Sequence, residues 1–86
     1  MEIVTVDEEV RVGAAFDNRK ICPVWFLWRS RYYKVRRVTY NWRSSLGIEK
    51  LYYFAVIVAG GSSVYELCFN SGSLEWTLSR ISGGDE

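Results

Sequence analysis

The chain contains no histidine. That absence removes the usual general base, the usual zinc ligand, and the partner that activates a serine or cysteine nucleophile. Cysteine is also scarce: Cys22 and Cys68 are the two present, too few to close a four-ligand zinc site. Met1-Glu2-Ile3-Val4 lacks the basic and apolar regions of a secretory signal, so the two cysteines read as reduced thiols of a cytoplasmic protein. Each is expected to behave as a small buried hydrophobe. A disulfide is the alternative, because Cα separation cannot be read from sequence. Long apolar runs are missing too. The longest, Leu51 to Ala59, suits a buried strand and falls far short of the ~20 residues of a membrane helix. No membrane partner is expected.

Acidic residues are absent from Asn18 to Ile48, where eight basic residues stand: Arg19, Lys20, Arg29, Arg31, Lys34, Arg36, Arg37 and Arg43. The rest of the chain carries three basic and ten acidic residues. A net charge of +1 therefore hides a chain polarised along its length. The carboxylates of Asp7-Glu8-Glu9 and Asp85-Glu86 read as solvated surface, since a hydrolytic pair must be held across a cleft. Gly60-Gly61-Ser62-Ser63 is glycine-rich but opens a strand and lacks the P-loop lysine and the dinucleotide fingerprint. It reads as a hairpin turn. No enzyme activity, cofactor or metal is expected.

What the sequence has in quantity is apolar and aromatic mass. Of 86 residues, 49% are apolar and 16% aromatic. A chain of this length makes one domain, 1–86, and buries only about 60–65% of its unfolded surface. Large rings let few side chains fill so thin a core, and the net stability expected is ~3–5 kcal/mol.

The patterning has period two, the signature of strands. Val10, Val12, Ala14 and Phe16 alternate with Arg11, Gly13 and Ala15. Ile3 to Val6 is a short strand or a tail, and Asp7-Glu8-Glu9 interrupts the pattern. Asp17-Asn18 signals a turn. Pro23 precedes Val24-Trp25-Phe26-Leu27-Trp28, a position proline tolerates at a strand start or edge. Arg29-Ser30-Arg31 then separates two β-favouring runs as a hairpin would.

From Tyr32 to Arg43 the phase slips at Arg36-Arg37, so a β-bulge is expected there. Tyr33 and Val35 fall on one side, and Val38, Tyr40 and Trp42 on the other. Val35, Val38 and Trp42 also fit helical spacing, which leaves a short helix within 35–43 as a competing assignment. Trp28, Tyr33, Val35 and Trp42 are the expected core residues of this region. Ser44-Ser45-Leu46-Gly47 reads as a loop. Leu51–Ala59 is apolar on both parities, as in a central strand covered on both faces. Val64 to Asn70 alternates, Asn70-Ser71-Gly72-Ser73 is a tight turn, and Leu74, Trp76 and Leu78 open a last strand. The ordered core is expected over about 10–81, with a polar tail at 82–86. The fold class is all-β: five or six antiparallel strands in a meander, as a small barrel or strongly twisted open sheet.

Between Arg19 and Arg43 the basic residues interleave with Trp25, Phe26, Trp28, Tyr32, Tyr33, Tyr40 and Trp42. Cations neutralise phosphates, and exposed rings stack bases. The candidate nucleic-acid-binding set is Arg29, Arg31, Tyr32, Lys34, Arg36, Arg37 and Arg43, with Tyr32 or Trp25 stacking on DNA or RNA. Lys34 and Arg36 share the face opposite Tyr33 and Val35; Arg37 and Arg43 join them only if the bulge restores the phase. The alternative is a protein-interaction or assembly module, because exposed Tyr, Trp and Arg also make interface hot spots and free strand edges pair with other chains. A monomer or weak homodimer fits either.

The run Pro23-Val24-Trp25-Phe26-Leu27-Trp28-Arg29-Ser30-Arg31-Tyr32-Tyr33-Lys34-Val35 resembles a family of small, uncharacterised bacterial β domains. So do Val64-Tyr65-Glu66-Leu67-Cys68-Phe69 and Leu74-Glu75-Trp76-Thr77-Leu78. The resemblance covers about residues 23–81. Related domains sit at the C-terminal tail of catalytically degenerate Y-family polymerase-like proteins of translesion mutagenesis. The resemblance implies DNA-related work but no assigned activity. Ser30 stands where the family tends to have glycine, at a turn position that would favour φ > 0.

Overall fold

Strand-forming side chains occupy nearly the whole chain, and almost all of it is strand. The computed structural model describes residues 2–83. Six strands follow one another: β1 (Ile3–Asp17), β2 (Lys20–Trp28), β3 (Arg31–Leu46), β4 (Glu49–Val58), β5 (Val64–Asn70) and β6 (Glu75–Ser82). Each pairs antiparallel with the next, and β6 returns to β1, closing a barrel. Residues 35–43 are strand throughout, so the helical assignment fails. The β-branched and aromatic side chains there pack on a pleated surface, and ten residues of β3 pair with β4.

Two-residue turns join the first four strands. Asn18 and Arg19 (φ 50° and 62°) and Arg29 and Ser30 (φ 53° and 64°) are all left-handed, the geometry whose twist matches a hairpin. Ser30 thus does hold the conformation glycine would favour. Gly47 (φ 64°) turns β3 into β4, and Ser44 and Ser45 belong to the strand rather than to a loop. After β5, the Asn70 side-chain carbonyl accepts from the Gly72 and Ser73 amides at 2.8 and 3.2 Å. Leu74 falls in this turn, left-handed and exposed, so β6 begins one residue later than the alternation suggests.

Bulges bend the strands enough to close the ring. The one expected at Arg36-Arg37 is present: Val35 pairs with Val58 and Arg37 with Ile57, leaving Arg36 as the extra residue. A second follows at Thr39, between the pairs Val38–Val56 and Tyr40–Ala55. The Thr39 hydroxyl donates to the Ala55 carbonyl at 3.1 Å. The acidic interruption at Asp7 is also a bulge. Val6 and Asp7 stand opposite the single Ser79 between the Thr5–Arg80 and Glu8–Leu78 pairs, so Ile3–Val6 is the start of β1 and not a tail.

Val10, Phe26, Phe54, Val56, Val58, Leu67 and Leu78 fill the interior, flanked by Trp28, Tyr33, Val35 and Val38. Trp42 is not among them. The second bulge splits Val38, which points inward, from Tyr40 and Trp42, which point out. β4 is paired on both edges, but a barrel has one layer. Its outer residues Tyr53, Ala55 and Ile57 are only half-buried, so the expectation of two covered faces fails. Their apolarity is a property of the barrel's outer surface.

Candidate nucleic-acid interface

The register of β3 decides which candidate side chains share a face. Tyr33, Val35 and Val38 contact the core. Between them, Tyr32, Lys34 and Arg37 point outward, and beyond the Thr39 bulge Tyr40 and Trp42 continue that face. The outer face of β3 therefore reads Tyr32, Lys34, Arg37, Tyr40, Trp42. At ~3.3 Å per residue this stripe is about 30 Å long. Tyr32 and Tyr40 are 63% and 65% exposed, which rings in a core could not be.

Neighbouring strands supply more aromatic surface at both ends of the stripe. Trp25 on β2 pairs with Lys34, and its ring centroid lies 5.9 Å from that of Tyr32. Trp25 can lie against the sheet because Gly13 beneath it has no side chain. A Cβ there would overlap the indole Nε1 and come within 2.7 Å of Cζ2. At the other end, Trp42 and Tyr53 stack at 4.9 Å with planes 2° apart, and Tyr40 lies 5.4 Å from Trp42. Beside Tyr53, Cys68 continues the outer face onto β5. Burial pushes the Tyr53 hydroxyl and the Cys68 thiol both up, so the row is uncharged at neutral pH.

The other candidates part company. Arg29 is held by Glu8: Nη2 and Nε donate to the two carboxylate oxygens at 2.6 and 3.2 Å, and Trp28 Nε1 donates to the same carboxylate at 2.8 Å. The Arg29 hydrogen bond, with that of Trp28, holds the Glu8 carboxyl below its ordinary value, and Glu8 in turn raises Arg29. Glu8 is therefore not idle solvated surface, and Arg29 is neutralised. Arg31 lies over the Tyr33 ring at 5.9 Å, on the opposite parity from Tyr32, beside the 59–61 turn in a hollow of about 420 Å³. Arg36 is exposed on its bulge, next to the stripe. Arg43 pairs with Tyr52 and faces the inner side. The bulges restore the phase for Arg37 but not for Arg43.

Arg43 lines a groove of about 830 Å³ with Phe16, Ile21, Tyr52, Phe54 and Phe69, and Arg19 and Lys20 stand at its rim. It is the barrel's open end, where the β1–β2 and β3–β4 hairpins reach past the core. Cys22 also lines it and is exposed, contrary to the buried role expected; Cys68 is half-buried, and both are unbonded.

The charge asymmetry of the sequence is kept only in part in space. β3 carries five cations and no carboxylate, and Asp7 and Glu9 on β1, Glu66 on β5 and Glu75 on β6 lie off it, but Glu49 opens β4 opposite Leu46 and Glu8 reaches Arg29. Among the described residues no cluster of three His, Cys, Asp or Glu could hold a metal ion, and no helix is long and apolar enough to cross a membrane. Comparison with family models, curated proteins and solved structures finds no match.

Proposed function

We propose that this protein is a non-catalytic β-barrel module that binds single-stranded nucleic acid along the outer face of β3. One observation carries it: Tyr32, Lys34, Arg37, Tyr40 and Trp42 share that face, so two cations lie between the exposed rings of Tyr32 and Tyr40 along one strand. Lys34 and Arg37, joined by Arg36, would neutralise phosphates. Trp25 and Tyr32 at one end, and Tyr40 at the other, offer faces on which bases can stack. No hydrogen-bond readout of base edges is built into the stripe, so little sequence preference is expected. The two free thiols fit a reducing compartment, and a cytoplasmic location belongs to the same proposal. The resemblance of residues 23–81 to polymerase-tail domains is consistent with work on DNA.

Fluorescence anisotropy of a labelled oligothymidylate tests it. The wild type binds at low salt; Trp25→Ala and Tyr40→Ala each lose about 1–3 kcal/mol per base they stack; the Glu8→Gln/Arg29→Gln variant, which removes a mutually neutralised pair, binds as the wild type does. Equal affinity in all four proteins would sink the proposal. A protein-interaction role is favoured by a different part of the molecule, the parted strands at the groove.

A further inference from the structure

β2 and β3 hold together over only four residue pairs, from Trp28–Arg31 to Trp25–Lys34. Beyond them β2 follows β1 to Lys20, while β3 follows β4 to Leu46. Two strand edges are therefore left without a partner among the described residues: 20–24 on β2 and 35–46 on β3. An edge strand turns every second backbone N–H and C=O outward, and such a row is a template for another strand. Pro23 removes one donor from the β2 edge, so β3 is the better template.

Between the parted edges lies the groove. Its floor is apolar, with Phe16, Ile21, Phe54 and Phe69, and its charged lining residues are Arg19, Lys20 and Arg43, with no carboxylate. A volume of about 830 Å³ lies within the ~300–1,000 Å³ range of ligand clefts. The geometry points to an extended acidic peptide of a partner protein, added as a strand along β3 from Arg36 to Leu46. Main-chain hydrogen bonds to the edge hold it, and the alternate side chains on its groove side bring apolar groups to the floor and carboxylates to Arg43, Arg19 and Lys20. A second copy of this chain is a poor occupant. Its own edge carries Arg36, Arg37 and Arg43 and no acid, so self-pairing sets like charges together. Trp42 and Tyr53 of the outer face also line the groove, so the two sites meet there; Trp25, Tyr32 and Lys34 lie outside it, and their response separates the two readings.

The test is amide NMR of the full chain titrated with the blocked heptapeptide Asp-Ser-Val-Ser-Val-Ser-Asp, whose valines and aspartates share one face of a strand, and with its lysine-for-aspartate counterpart. The aspartate peptide shifts amides within 36–46 and 20–24, and the lysine peptide binds at least about tenfold more weakly. Arg43→Glu narrows or reverses that preference, and the unchanged spectrum elsewhere reports that the variant is folded. Equal binding of both peptides, shifts confined to Trp25, Tyr32 and Lys34, or no shift at millimolar aspartate peptide overturns the inference. Oligothymidylate shifting the 20–22 amides, which lie off the outer stripe, in place of the peptide also overturns it.

Discussion

Gly13→Ala places one methyl group under the Trp25 indole, and the sign of its effect reports whether that ring lies on the sheet. A Cβ at Gly13 would overlap the ring at Nε1 and Cε2. A rigid indole cannot give locally, so it must lift off the strand. One face of a large aromatic is roughly a third of the ~150–250 Å² such a side chain buries. At ~25 cal/mol per Å² that loss costs about 1.5–2 kcal/mol. Replacing glycine in a strand gains about 0.5–1 kcal/mol of chain entropy. The net expectation is a destabilisation of about 1 kcal/mol, or ~4–8 °C in Tm for a chain of this size. Urea unfolding of wild type, Gly13→Ala, Trp25→Ala and the double variant completes a cycle. In the Trp25→Ala background the same glycine substitution should stabilise, because the obstruction is gone. If Gly13→Ala stabilises the wild-type chain, the ring does not rest on Gly13 and one end of the proposed stripe is wrongly built.

Ser30→Gly relieves a left-handed residue (φ 64°) at no contact cost and should stabilise by about 1 kcal/mol; a thermal melt showing a loss would contradict the turn geometry. Arg29→Ala should raise the titration midpoint of the Glu8 carboxyl in carbon-detected NMR. The folded value is depressed by Arg29, so this ion pair stabilises above the unfolded value near 4.5 and is lost as pH falls through the folded one; a midpoint unmoved by the variant refutes the pairing. Cys22 should be alkylated well before Cys68, which is half-buried and whose thiol burial pushes up; peptide mapping showing the reverse order would contradict the placement of β2.

The strands were legible where one face is core and the other is water, as in Val64–Asn70, whose limits match the structure. The bulge at Arg36 was legible because the phase of Tyr33 and Val35 does not meet that of Val38. The bulge at Thr39 was not, because Val38, Tyr40 and Trp42 make an unbroken alternation. Only the pairing with β4, and the Ala55 carbonyl met by the Thr39 hydroxyl, turns Val38 in while Tyr40 and Trp42 turn out. That one hidden residue moved Trp42 from the core to the candidate interface and left Arg43 on the groove side. Trp25 reads as a stacking ring in the sequence, but its seat on Gly13 depends on β1–β2 register. Arg29 reads as free in the sequence for another reason: its partner Glu8 lies 21 residues away across the β1–β2 hairpin, beyond the reach of local spacing. Leu51–Ala59 read as doubly buried because a barrel's apolar outer surface looks, in sequence, like a second core face.

The central claim is that Lys34 and Arg37 act together on one outward strand face against phosphate. Anisotropy of labelled oligothymidylate should be followed from about 50 to about 200 mM salt for the wild type and for the Lys34→Gln/Arg37→Gln variant. Each phosphate contact on a single strand contributes about −0.7 to the slope of log K against log salt. The account predicts salt-sensitive binding by the wild type and a slope shallower by about 1.4 in the variant. No binding at the lower salt, or the same slope in both proteins, would contradict it.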